Sequence, residues 1–499
     1  MQNRTPLYAI LLLIVSAFLW QSCQKAPEPL PVTVLHWNDF HAQNQPFETY
    51  IDSQRVRVGG AAYLATLLDS LRLHYPRSLT FHAGDEFTGT PISAITKGQS
   101  QIEILNYLKP DAYTPGNHEF DHGWISLKER YSGANFPVLC CNVFDSLTGQ
   151  TITEPAMIFE RAGVKIGVIG STIQYLSSYV LSDALPGLRI EDPAPIINKW
   201  LDEVEEITDI QIALTHHGVN LDKHLAESCP RLDLIVGGHK HARLFEPLVE
   251  SGVPILQAGA KGQYLGLFRA EVDTVNDRIV AYTGQLIPVY SDSLQPREDI
   301  AVLIEEQESQ VAEGLDRPIG VLLDPWERNW DGESNVGSWT ADAITRITGK
   351  DIAFINSGGL RKNVPEGTVT ERDMWELHPF GNRLMTFNMS GLELKRAVSH
   401  QAREMRDINQ ISGLRYRARK NSGELLEITV GGMRVESEKM YTVVANEYIT
   451  SHPQKYFGFE LVDRPITDTG WLDRDLAMKA FLMEGRVSSQ TDGRIVLVD

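Results

Sequence analysis

The run "TPGNHEFDHG", Thr114 to Gly123, is where the reading of this chain turns. Behind the turn pair Pro115-Gly116, the six residues from Asn117 to His122 carry an amide, two imidazoles and two carboxylates. That composition suits either a solvated loop or a place where metal binding adjoins proton transfer. Four more polar clusters bear on the choice: "HWNDFHA" with Asp39 and His41, "HAGDEFTG" with Asp85, "THHG" with His216 and His217, and "GGHKHA" with His239 and His241. The clusters fall at the ends of apolar, strand-like runs, among them "VTVLHW", "SLTF", "IQIALT" (210–215) and "LDLIV". Catalytic groups of open α/β sheets gather at the carboxyl ends of strands, so loops far apart in sequence can converge. Asp39-x-His41 sets two ligand types on one short loop. A lone Asp85 between His-bearing loops can bridge two cations, and an Asn carbonyl with several imidazoles completes N/O shells suited to zinc, manganese, iron or cobalt rather than magnesium or calcium. Each cluster alone is weak; the ordered set is specific.

Outward from these loops the pattern is α/β. "GGAAYLATLLDSLRLHYP" places Ala61, Leu64, Leu67, Leu68 and Leu71 at helical spacing, while "VKIGVIG" and "VPILQA" read as further buried strands. At 499 residues the chain is too long for one ordinary core, and two large domains are expected. Near Pro296 the character changes to a charged helix, Glu298 to about Val311, with sparse apolar positions, as expected of a bridge between domains. Beyond about Ile319, helices ("SWTADAITRITG", "GLELKRAVSHQA") mix with strands ("DIAFIN", "RLMTFNM", "LLEITV", "YTVVANEYI").

The formal charge of −19 argues against nucleic acid or anionic lipid as a partner surface. An anionic substrate would then need bound metal ions to attract it. At the N-terminus, "LYAILLLIVSAFLW" after Arg4 has signal-peptide proportions, and Ser22-Cys23 resembles a bacterial lipobox. The expectation is a signal peptide over 1–22 and a lipidated tether over 23–31, anchored through Cys23 in the cell envelope, periplasmic or membrane-bound. Plain secretory cleavage nearby is the other reading. Cys140, Cys141 and Cys229 imply no disulfide framework and read as buried structural thiols.

The motifs from about Val32 to the C-terminus resemble the calcineurin-like dinuclear metallophosphoesterases, and with the second half the 5′-nucleotidase / UDP-sugar hydrolase / 2′,3′-cyclic nucleotide phosphodiesterase family. The resemblance implies a four-layer α-β-β-α sandwich over 32–290, a linker helix and hinge over 291–318, and an α+β substrate-binding domain over 319–499. It implies two divalent metal ions, one held by Asp39, His41, Asp85 and His241, the other by Asp85, Asn117, His216 and His239. In "THHG" it selects His216 over His217. His118 would assist the leaving group and Asp121 would orient His118, while two cations activate the attacking water. Glu119 is expected to be a structural hydrogen-bonder, His122 has no assigned part, and His82 is expected to be simply buried.

In the second half, "INSGGLRKNVPEGTVT" resembles the family's substrate-binding N-x-G-G-x-R segment, which marks Asn356, Gly358, Gly359 and Arg361. Glycine N–H groups and an Arg fork suit phosphate or carboxylate. Asn335 in "ESNVGSWTADA" reads as a structural helix-start residue. Phe380 and Tyr448 match positions where the family sandwiches a base. Many relatives follow the second aromatic with Gly-Gly-Asp; here "NEYITSHPQKYFGFE" has none, which opens the question of substrate. The expected activity is metal-dependent hydrolysis of nucleotide phosphate monoesters. Cyclic nucleotides, nucleotide sugars or sulfur esters are alternatives on the same site, and a two-domain solute-binding lipoprotein is the non-enzymatic one.

Overall fold

The computed structural model describes residues 28–462 and 464–499, so the apolar N-terminal run, Cys23 and the start of the tether lie outside the described residues. In the first half, two sheets face each other. One has the order Arg278–Pro288, Tyr264–Asp273, Leu30–Trp37, Leu79–His82, Ala112–Tyr113, and the other Leu248–Glu250, Val253–Leu256, Leu234–Val236, Ile210–His216, Val164–Thr172, Ala156–Arg161. Strands rich in Val, Ile and Leu on both faces can be satisfied only between two layers. Ile210–His216, buried at all seven positions, is such a strand. Val32, Val34, Leu79 and Phe81 of one sheet meet Val168, Ile212, Leu214 and Val236 of the other in a shared core. Helices Ala61–His74 and Gln99–Leu108 contribute to the core on the outside of the first sheet. Pro193–Val204 and Val219–Ser228 cover the second. The result is the four-layer α-β-β-α arrangement.

Leu30–Trp37, Leu79–His82 and Ala112–Tyr113 pair in parallel, as do Ile210–His216 and Leu234–Val236. Parallel strands expose their carboxyl ends on one edge, so the five polar loops emerge together.

The charged helix runs from Glu298 to Leu315, a turn longer than its sequence suggests. It is also less isolated than expected of a solvent bridge. Ile300 and Ile304 are buried in the first domain's core, and Arg372 of the second half pairs with Glu308 at 2.6 Å and Asp316 at 2.8 Å.

The second half is built on a five-stranded mixed sheet ordered Asn409–Ser412, Ile352–Asn356, Met440–Asn446, Arg383–Ser390, Thr467–Leu472. Helices Asn335–Thr348 and Asp473–Glu484 share one core with it, and Gly391–Glu404 shares another. One sequence expectation is corrected here. The strand read through "YTVVANEYI" stops at Asn446, whose side chain accepts from Ile449 N and caps a short helix, Glu447–Ser451, that carries Tyr448. Asn335 does start its helix and is structural, as read from the sequence: it follows the cap Ser334, which accepts from Gly337 N, and ties Glu327 N and Pro325 O to the helix.

Cys140, Cys141 and Cys229 are buried and free. Among the described residues no helix is long and apolar enough to cross a membrane.

Candidate metal centre and cleft

Five of the seven residues singled out as metal ligands adopt left-handed backbone: Asp39 (φ 51°), His41 (52°), Asp85 (58°), His239 (81°) and His241 (53°). Such conformations cost on the order of 1 kcal/mol or more per non-glycine residue and persist where the surroundings over-determine them. The backbone is bent here to aim side chains at one point. Asp39 N donates to Gly84 O and His41 N to Asp85 O, which locks the first two loops together. Gly116 is needed for the same closeness, since a Cβ there would overlap the Asp85 carboxylate.

The donor atoms converge in neighbouring groups around Asp85. His241 Nε2 lies 3.4 Å from Asp39 Oδ1 and 3.0 Å from His41 Nε2, and His41 Nε2 lies 4.0 Å from Asp85 Oδ2. On the other side, Asp85 Oδ2 is 3.2 Å from His216 Nε2, and Asn117 Oδ1 is 2.9 Å from His239 Nδ1. Asp39, His41 and His241 could hold one ion, and Asp85, His216 and His239 another.

The residues present fit such ions. His216 donates Nδ1–H to Ala83 O at 2.6 Å, and His41 Nδ1 meets Thr88 O at 3.0 Å, leaving each Nε2 to face the centre. A backbone acceptor that fixes the tautomer in this way is the usual support of a metal-binding imidazole. Among the described residues, His216 Nε2 and His239 Nε2 are buried without a hydrogen-bond partner. Burial, then the charge of neighbouring histidines, holds the pKa values of His41 and His239 well below 6.5, so these rings keep their lone pairs. For His216, burial lowers the pKa but Asp85 and Asp39 lift it to about 10, a sign of the negative potential that a cation would meet. His217 turns away. Its Nδ1 is 3.5 Å from Asp222, and it lines a separate small cavity.

His118 and Asp121 form a pair at the edge of this centre. His118 Nδ1 is 2.7 Å from Asp121 Oδ2, which also accepts from Thr88 Oγ1 at 2.5 Å. His118 Nε2 faces inward, 4.0 Å from Asp85 Oδ2. Burial lowers the His118 pKa, but Asp121 and Asp85 outweigh it and the net shift is upward. With His41 and Asp85, His118 also makes a third donor group, so position alone gives it two possible parts. Glu119 is a structural acceptor. Oε1 takes Glu86 N and Phe87 N, and Oε2 takes Asp85 N and Gly116 N. His82 is buried against Glu86 at 2.7 Å, and His122 stands at the cavity wall.

A cavity of about 410 Å³ opens from the metal-ligand groups toward the second half and is lined by Asn356, Gly358, Gly359, Arg361, Phe380 and Tyr448. All six sequence-marked residues of that half therefore reach the metal loops. Arg361 lies 5.8 Å from the Phe380 ring centroid, and that ring stacks on His118 at 5.7 Å. Gly358 departs from its expected use, because its N–H donates to Asp407 Oδ1 at 2.5 Å instead of standing free for an anion. Tyr448 donates its hydroxyl to Ser178 O, and His452 Nε2 meets Ser177 O at 2.7 Å, so this short helix ties the halves across the cleft. Thr88, Tyr179, Lys240, Trp330, Asp407 and Lys455 also line the cavity and went unmarked in the sequence. Lys240, between two histidines, was the one with a visible signal.

Residues 32–243 match the calcineurin-like phosphoesterase family, and residues 318–460 match the 5′-nucleotidase C-terminal domain. The chain is 25% identical to endonuclease YhcR of Bacillus subtilis (strain 168) over 95% of its own length, and spans 42% of that longer protein. It is 27% identical to a 5′-nucleotidase of Vibrio cholerae over 91% of this chain and 90% of that one. The solved 5′-nucleotidase precursor from Thermus thermophilus superposes with a TM-score of 0.84 at 25% identity, covering 94% of this chain and 99% of that one.

Proposed function

This chain belongs to the calcineurin-like phosphoesterases that carry a 5′-nucleotidase C-terminal domain, and we propose that it hydrolyses phosphate monoesters of nucleotides in the cleft between its halves. It is a hydrolase, a 5′-nucleotidase-like metallophosphoesterase. The observation that carries the reading is one cavity in which two metal-ligand groups meet the Asn356–Arg361 turn.

Asp39, His41, Asp85 and His241 would hold one divalent cation, and Asp85, Asn117, His216 and His239 the other. When bound, such a pair activates water and offsets charge on phosphoryl oxygens. Arg361 supplies a cationic fork to those oxygens from the second half. His118, held through Nδ1 by Asp121, presents Nε2–H to the departing ester oxygen, and the Asp121 carboxylate favours the charged imidazole. Phe380 and Tyr448 offer ring faces to the base. Zinc, manganese, cobalt and iron all suit this N/O donor set.

The test is product release by the purified protein with Mn²⁺ or Zn²⁺: phosphate from AMP, the ring-opened monophosphate from 2′,3′-cyclic AMP, UMP from UDP-glucose and sulfate from a thiosulfate ester. Turnover of AMP above the others is expected. Release from cyclic or sulfur esters with none from AMP removes the nucleotidase reading. Envelope anchoring through Cys23 is proposed from sequence, and radiolabelled palmitate on the wild type but not on Cys23→Ser checks it.

A further inference from the structure

Arg361, Lys240 and Lys455 bring positive charge to the cavity. The charge of Arg361 acts on His41 and His118, and that of Lys240, which stands between His239 and His241, acts on His239. Lys240 and Lys455 line the cavity beside Tyr179 and Tyr448. Lys240 Nζ lies 5.6 Å from the Tyr179 ring centroid, and that ring stands edge-on to His239 at 4.6 Å. Lys455 Nζ lies 5.2 Å from the Tyr448 centroid and 4.9 Å from that of Tyr456. Tyr448 donates its hydroxyl to Ser178 O, next to Tyr179, which brings the two lysine-bearing segments together, and the charges of Arg406 and Lys455 both act on Lys240. Asp407 answers them in part, with Oδ2 3.5 Å from Lys455. That carboxylate is also committed to Gly358 N and the Tyr456 hydroxyl.

Like charges held together at a cleft repel, and an anion placed between them turns repulsion into attraction. In a chain of net charge −19, a gathering of cations lining a cleft points to a ligand. Flexible lysines suit a compact anionic group whose exact position varies. Tyr179 and Tyr448, one from each half, line the cavity beside these lysines, and their rings can flank an organic group there.

We propose that Lys240 and Lys455 form a second anion-recognition point, so that the preferred substrates are phosphoric esters whose leaving group carries a further phosphate, of the nucleoside bisphosphate class. This rests on the reading above for where the scissile phosphate sits. The reaction is unchanged: the P–O bond to the leaving group breaks, water supplies the new oxygen, and the second phosphate stays on the product.

The experiment is isothermal titration of the chelator-treated full chain with adenosine 3′,5′-bisphosphate and, separately, AMP. Without added metal ions, the contribution of the lysines is read directly. The bisphosphate is expected to bind about tenfold more tightly, the effect of one charge-assisted contact. The double variant Lys240→Met, Lys455→Met should bring the two ligands to the same Kd, with circular dichroism melting confirming its fold. Equal affinities in the wild type, no measurable binding of the bisphosphate, or a difference that survives in the double variant would each overturn the proposal. Phosphate release from AMP by the metal-loaded protein is measured in parallel. Its absence removes the nucleotidase reading, while the binding difference still decides this one.

Discussion

Glu119→Gln probes the device that holds the Asp85 carboxylate in place. Glu119 is 1% exposed, and its oxygens accept four backbone N–H groups, from Asp85 at 3.0 Å, Glu86 at 2.7 Å, Phe87 at 3.2 Å and Gly116 at 2.5 Å. Those bonds join the turn bearing Asp85 to the turn bearing Asn117 and His118. Glutamine replaces one acceptor oxygen by an NH₂ that points at two N–H donors. Two bonds are lost and two buried donors are left facing a donor. At about 1–3 kcal/mol for each unsatisfied buried group, the cost is about 2–6 kcal/mol. Burial, then the charge of Asp85, raises the Glu119 pKa, while the Glu86 N–H works the other way. Calorimetry of the metal-free protein is expected to show the first-domain transition lowered by several degrees, roughly 2–4 °C per kcal/mol. Chelator competition should show metal affinity reduced about 10–100-fold, the usual effect of losing an outer partner. An unchanged transition with unchanged metal affinity would refute the argument that this side chain holds the Asp85 turn.

The other predictions concern the centre itself and the second domain. His118→Ala should lower kcat by about 10²–10⁴ while elemental analysis still finds two metals per chain. A lost metal would make His118 a ligand instead, which its 4.0 Å approach to Asp85 permits. Asn117→Ala should bring the metal content from two toward one, since its Oδ1 sits 2.9 Å from His239 Nδ1 beside Asp85. Burial lifts the Asp473 pKa from 3.8 to about 7, so over that interval the folded chain keeps a proton that the unfolded chain has released. Its contribution to stability is full below the unfolded value and is lost as pH rises through about 7. Asp473→Asn should flatten that fall in thermal scans between those limits.

Much of the catalytic half was legible because its signals are local. Apolar runs of strand length announce strands, and polar clusters with glycine announce the loops at their ends. His216 could be separated from His217 only by resemblance; in the structure the pair diverges because neighbouring side chains at a strand end point to opposite faces. The run through "ANEYIT" was misread because Tyr448 and Ile449 favour strands, while the Asn446 cap that decides otherwise depends on a single side-chain bond.

The sequence by itself determined the α/β class, the carboxyl-end loops and the chemistry of the donor set, since residue type and order settle these. Only the tertiary structure decided that Lys240, Asp407 and Lys455 line one cavity, that Gly358 N–H is already engaged, and that five ligand positions carry left-handed backbone. The physical reason is that long-range approach is set by how two domains pack. Residues more than two hundred positions apart, such as Lys240 and Lys455, share a field only once the chain has closed on itself.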